Sequence, residues 1–241
     1  MANDSLRDLF NDWMDSHRGE SETPPILAAT VILLRDRDDG LEVLMMRRNS
    51  SIAFGGAWVF PGGKLDPEDW PADDADDVLT ASRNAASREA DEEGSITVDP
   101  DALVPFSHWM PPAIVEKRFA TWFFVGRTPT DEVTIDDGEI TAHAWMRPAD
   151  ALAKHVEREV ELAPPTWMTL NQLSSWATVD DVLAAASERT VPFYVTRVRK
   201  VGDDPCAMWH GDDAYDGGDV ETAERRHRLV MQRGGWRFEH S

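Results

Sequence analysis

Apolar positions change their period along the chain, and the changes mark out its elements. Leu6, Leu9, Phe10, Trp13 and Met14 repeat at i, i+3, i+4, i+7 and i+8, which predicts one stripe of an amphipathic helix. Such a stripe has to pack on the body of the domain or on a second subunit, as in a homodimer. The polar stretch HRGESETPP (17–25) then reads as a linker closed by prolines. ILAATVILL (26–34) is an unbroken, β-branched apolar run of the kind a buried strand carries. RDRDDG reads as a turn, and LEVLMMR (41–47) as the hairpin partner. A short strand at 57–60 leads into Pro61-Gly62-Gly63, and DWPADDADD (69–77) reads as an exposed acidic loop. Residues 78–93 favour helix, with alanines along one side.

Strand patterns follow at 103–109, 118–125 and 142–146, and beyond Arg147 the period becomes helical at 148–161, 165–175 and 179–188. The first two of these helices have proline near the start, where its missing N–H costs nothing. Residues 192–199 read as a late strand, and 202–241, rich in Gly, Asp and charge, carry no period that assigns them. Strands around one long helix, then further helices, predict an α/β sandwich with a mixed sheet, an N-terminal helix and a helical C-terminal extension. The expected divisions are 1–25 for the helix and linker, 26–175 for the main domain, and 176–241 for an extension packed on it.

Composition narrows the function classes. The 241 residues are 41% hydrophobic with ten tryptophans, enough for a packed core. A formal net charge of −21 argues against a protein that grips nucleic acid through its phosphates, and against an electrostatic membrane anchor. No apolar run approaches the roughly 18 residues of a membrane-spanning helix. The N-terminus has neither a basic n-region nor an apolar h-region. Cys206 is the only cysteine, which rules out a disulfide within the chain and fits a reducing cytoplasm. The expectation is a soluble cytoplasmic protein.

Candidate chemistry sits in READEEGSI (88–96). Glu89, Glu92 and Glu93 stand at i, i+3 and i+4, so one helix face gathers three carboxylates behind Arg88. Like charges this close destabilise a helix unless water screens them or a cation neutralises them. Grouped hard oxygens suit Mg²⁺ or Mn²⁺, completed by substrate phosphate. A solvated acidic face has the same spacing, so the glutamates alone leave both readings open. Upstream, Phe60-Pro61-Gly62-Gly63 ends a strand in a turn whose backbone can approach a metal or phosphate without a Cβ in the way.

Together the two segments resemble the Nudix box, G-x5-E-x7-R-E-U-x-E-E-x-G-U with U aliphatic. Gly63 matches the opening glycine, and Arg88, Glu89, Ala90, Glu92, Glu93 and Ile96 match the tail. Asp69 stands where the motif has its first glutamate, with Glu68 beside it. The x7 spacer is 18 residues long, at 70–87, and Ser95 occupies the late glycine position, with Gly94 one place early. Such long-insert boxes are similar to those of the peroxisomal acyl-CoA diphosphatases of the Nudix-nineteen type. VLMMRR, RFATWFF, GEITAHAWMRPADAL and LAPPTWMTLNQL point the same way.

That resemblance implies a metal-dependent hydrolase of a nucleoside diphosphate linked to another moiety, with Mg²⁺ or Mn²⁺ as cofactor and CoA or acyl-CoA as leading substrate. ADP-ribose, a nucleotide sugar, and a non-catalytic nucleotide sensor are the alternatives. It further implies Glu89, Glu92, Glu93 and the Gly62 carbonyl as metal ligands, and Arg88 as the residue that orients a helix carboxylate. Glu139 is a candidate late ligand or base, and a surface acid of the DDGE loop reads the same way. Arg47, Arg118 and Gly63 are the candidate substrate-binding residues. Arg48 and Lys117 are further cations near them.

Overall fold

The computed structural model describes residues 23–49, 55–115, 117–135 and 138–241. The helix expected at Leu6–Met14 lies outside the described residues.

The apolar run beginning at Ile26 forms β1 (Ile26–Arg37) and turns through residues 38–39 into β2 (Gly40–Arg48). β3 (Trp58–Val59) and β4 (Gly62–Lys64) follow, then helix α1 (Val78–Gly94). β5 (Val104–Met110), β6 (Phe119–Arg127) and β7 (Ile140–Met146) precede helices α2 (Pro148–Val156), α3 (Pro164–Leu173) and α4 (Val179–Glu188). With β8 (Phe193–Val195), the strands make an eight-stranded sheet in the order β3-β2-β1-β6-β5-β8, with β4 beside β1 and β7 beside β2.

The sheet is mixed. β1 runs parallel to β6, from Ile26 opposite Phe119 to Leu34 opposite Arg127. Its other edge is divided, with β2 pairing at Leu34–Arg37 and β4 at Ala28–Thr30. The Pro-Gly-Gly turn therefore sits in the fork where β2 leaves β1, and Val31 N–H donates to Pro61 O at 2.9 Å.

Alternation along β1 builds two cores. Ala29, Val31 and Leu33 face α1, whose Ala85, Ala86 and Ala90 lie against them. Ile32 and Leu34 face the opposite layer with Phe106, Trp109, Phe123 and Val125, under Ala151, Trp167, Leu170 and Val182 of the later helices. This is the expected sandwich of helices on a mixed sheet. No helix among the described residues is long and apolar enough to cross a membrane.

Two segments differ from expectation. The helix expected over 148–161 stops at Val156, because Arg158 adopts a left-handed φ of 64° and turns the chain so that Val160 is buried. The late strand expected over 192–199 is two strands in two sheets. β8 closes the large sheet, and β9 (Arg197–Val201) opens a four-stranded antiparallel sheet with β10 (Asp204–Met208), β11 (His227–Gln232) and β12 (Gly235–His240). The extension is thus helical to Glu188 and β beyond it. Ala207, Trp209, Leu229 and Met231 join the same core as Trp109 and Tyr194, whose rings stack at 4.0 Å. Inside this tail, Arg228 and Asp212 form a fully buried pair at 2.6 and 2.7 Å, and Val220 O takes a further guanidinium N–H.

Candidate active site

α1 carries the site, and its local sequence explains how it is held. Asp77 caps the first turn by accepting Thr80 N–H at 3.0 Å. Small alanines on the inner face let the helix lie close on β1, which sets its glutamate flank over β4. At the far end Ser95 adopts a left-handed φ of 53°, and its N–H returns to Asp91 O at 2.8 Å. Gly94, one place earlier, lies close against the Met46 side chain, whose methyl would be 2.7 Å from an added Cβ.

The glycine turn and the helix touch directly. Gly62 N–H donates to Glu93 Oε2 at 3.0 Å. Gly63 lies against the Glu89 carboxylate so closely that any Cβ would occupy its place. Glu93 is 5% exposed, whereas the Glu92 side chain is 57% exposed at the rim. Burial pushes the Glu93 carboxyl up to about 8; the Glu89 and Glu139 charges add to this, while Gly62 N–H and Arg48 oppose it. Burial also raises Glu89, against the pull of Arg88. Two glutamates are therefore held where their charge is costly.

Arg88 ties the cluster together. Its Nε and Nη2 grip both oxygens of Asp69 at 3.0 Å. Nη1 reaches Glu89 at 3.0 Å and Glu92 at 2.9 Å, and Nη2 reaches Lys64 O at 3.1 Å. All five guanidinium N–H groups are used, and the Asp69 bonds foremost raise its already high pKa. Asp69 is itself 3% exposed, closes a 3-10 turn at Pro67–Asp69, and accepts Asp66 N–H at 2.7 Å. The shorter acid reaches Arg88 because this turn brings its backbone near. The signal available in sequence was DPED, an acid on each side of a proline-started turn.

The structure thus brings Gly62, Gly63, Arg88, Glu89, Glu92 and Glu93 together. Glu139 comes near through Arg48, whose Nη2 is 3.4 Å from Glu139 Oε2. Arg47 is exposed on β2, and Arg118 donates to Thr23 O at 2.8 Å at the base of β6.

Among the described residues no three His, Cys, Asp or Glu side chains form a ready-made metal cage. The donor set still fits a hard divalent cation. Such an ion takes one or two protein carboxylates and fills its shell with water and phosphate oxygens. Glu93, buried, and Glu89, half-buried and shared with Arg88, are that kind of donor.

The likeness to known proteins follows the same outline. The family model of the NUDIX domain matches residues 24–166. Acyl-coenzyme A diphosphatase NUDT19 of Xenopus laevis is 28% identical over 86 residues, covering 34% of this chain and 23% of that protein. The chain therefore spans about a quarter of that relative's length. A solved NUDIX hydrolase from Alicyclobacillus acidocaldarius superposes with a TM-score of 0.61 at 22% identity, over 70% of this chain and all of the other. That likeness is one of fold.

Proposed function

From the premise that the chain belongs to the Nudix hydrolase family, we propose that it cleaves the diphosphate bridge of a nucleoside diphosphate linked to another group, CoA or an acyl-CoA first among them. The observation that carries the reading is the half-buried Glu89 and buried Glu93 against Gly62 and Gly63, where, among the described residues, Arg88 is the one cation bonded to Glu89 and none is bonded to Glu93. Such a pocket repels a diphosphate unless a divalent cation stands between. Nudix hydrolases generally use divalent metal ions, and here we assign Mg²⁺ or Mn²⁺ to Glu89, Glu92, Glu93 and the Gly62 carbonyl. Once bound, the ion supplies charge neutralisation and a water of lowered pKa.

The chain's own residues do the rest. Arg88 fixes the Glu89 and Glu92 rotamers, so the carboxylates need not reorganise when substrate arrives. Asp69 holds Arg88 from below. Glu89, Glu93 or Glu139 takes the proton from the attacking water, which leaves phosphate oxygens on both products. The preference for CoA rests on the curated relative's name and the long insert in the box. ADP-ribose and nucleotide sugars share the same bond and the same chemistry. A sensor reading drew on Asp69 and Ser95, yet Asp69 keeps its grip on Arg88 and Ser95 keeps the helix end. The cytoplasm is the compartment we assign.

Incubating the protein with Mg²⁺ or Mn²⁺ and CoA, acetyl-CoA, ADP-ribose or NADH, and resolving products by phosphorus NMR, tests this reading. Turnover of CoA to 3′,5′-ADP and phosphopantetheine is expected. Tight binding without turnover of any of the four would assign a sensor instead.

A further inference from the structure

β2 ends in two neighbouring cations, and only the second turns toward the carboxylates. Arg48 is 23% exposed at its side chain, and its charge lowers the Glu93 pKa. Its one ion pair among the described residues is Nη2 to Glu139 Oε2 at 3.4 Å, well beyond the roughly 2.7–2.9 Å of a strong charge-assisted bond. Its Nε is buried and meets no acceptor among the described residues. Arg88 shows what this edge of a guanidinium does when filled, since Nε and Nη2 there hold both oxygens of Asp69 at 3.0 Å. In Arg48 the same edge carries one stretched bond and one idle donor. Native proteins seldom leave a buried N–H unmatched unless a ligand or water completes it.

The Arg48 guanidinium pairs with Glu139 through Nη2, and its charge reaches Glu93 as well. Glu139 is 64% exposed, and a solvated ion pair of that length is cheap to exchange. We infer that Arg48 is a substrate-binding residue whose Nε–Nη2 edge receives two oxygens of the diphosphate, with Glu139 as a resting partner that the substrate displaces. The inference rests on the diphosphate reading above and deepens it, naming the cation for the anionic bridge. Arg118, singled out in sequence, has a buried Nε of the same kind, but its Nη2 donates to Thr23 O at 2.8 Å, and Arg47 is exposed on β2.

The probe is methylenediphosphonate, which cannot be hydrolysed, titrated calorimetrically into full-length protein with Mg²⁺. Arg48→Ala is expected to weaken binding on the order of 10- to 100-fold, the size of lost hydrogen bonds to a charged group. Arg48→Lys should restore only part, because an ammonium offers charge without the fork. In turnover, Arg48→Ala should raise KM while kcat stays within a few-fold. Wild-type affinity in Arg48→Ala or full recovery in Arg48→Lys would each overturn the assignment while leaving the hydrolase reading intact. Wild type that does not bind the probe with Mg²⁺ would overturn both. Arg48→Lys, which keeps the stem and the charge, keeps the test decisive if Arg48→Ala fails to fold.

Discussion

Replacing Glu93 by Gln should make the metal-free protein more stable at alkaline pH, although it should cripple the site. The carboxyl is 5% exposed and is pushed from 4.5 up to about 8, chiefly by burial. Because the folded state holds this proton more tightly than the unfolded chain, the group favours folding below about pH 4.5. That advantage drains away as pH rises to about 8 and is gone above it. The interval between 4.5 and about 8, at about 1.4 kcal/mol per tenfold, gives a ceiling of about 5 kcal/mol. Sharing of charge with Glu89 and local relaxation lower it, so a gain of about 2–4 kcal/mol is expected at pH 8.5. Gln is nearly isosteric and still accepts the Gly62 N–H. At pH 5, where the folded carboxyl is already neutral, the two proteins should differ little. Urea denaturation in EDTA at both pH values, with the slope checked for constancy, reads the difference directly. Added Mg²⁺ should then stabilise wild type and not the variant. A Gln variant no more stable than wild type at pH 8.5 would refute the claim that this carboxylate is held against its own solvation.

Three further outcomes follow from the geometry. Gly63→Ala places a methyl where Glu89 now lies, so turnover should fall at least tenfold with a stability loss of about 1–3 kcal/mol; turnover near wild type would show that Glu89 is not needed there. Ser95→Gly relieves a left-handed residue at the end of α1 and should raise the melting temperature by about 2–4 °C, and a fall would mean the Oγ bond to Thr134 O outweighs the backbone. Cys206 is fully buried with its thiol pushed up to about 12, so a thiol reagent at pH 8 should label it only in urea. Rapid native labelling would show that the tail sheet opens.

What could be read from sequence was what repeats. α1 announced itself through alanines on one side and glutamates on another, and β1 through an unbroken apolar run. The joining of Gly62 to Glu93 was legible only as a resemblance, since two segments 31 residues apart meet through the fork in β1. The tail was opaque because β11 is buried at four consecutive positions, Arg228–Met231, one of them an arginine, so no alternation marks it as a strand. Choosing between Arg47 and Arg48 was equally closed to sequence. A register shift falls between them in the pairing of β2 with β7, so alternation does not say which one faces the glutamates. Asp69 looked like a defect of the motif, and the proline-started turn that brings it to Arg88 explains why it is not one.

The measurement closest to the central claim is a Mn²⁺ titration followed by the electron paramagnetic resonance of the free ion, with ADP present, on wild type, Glu89→Gln and Glu93→Gln. Carboxylates that hold the cation for a diphosphate predict saturable binding in wild type, tightened by ADP, and a loss of at least tenfold in each variant. Equal Mn²⁺ affinity in all three proteins would contradict it.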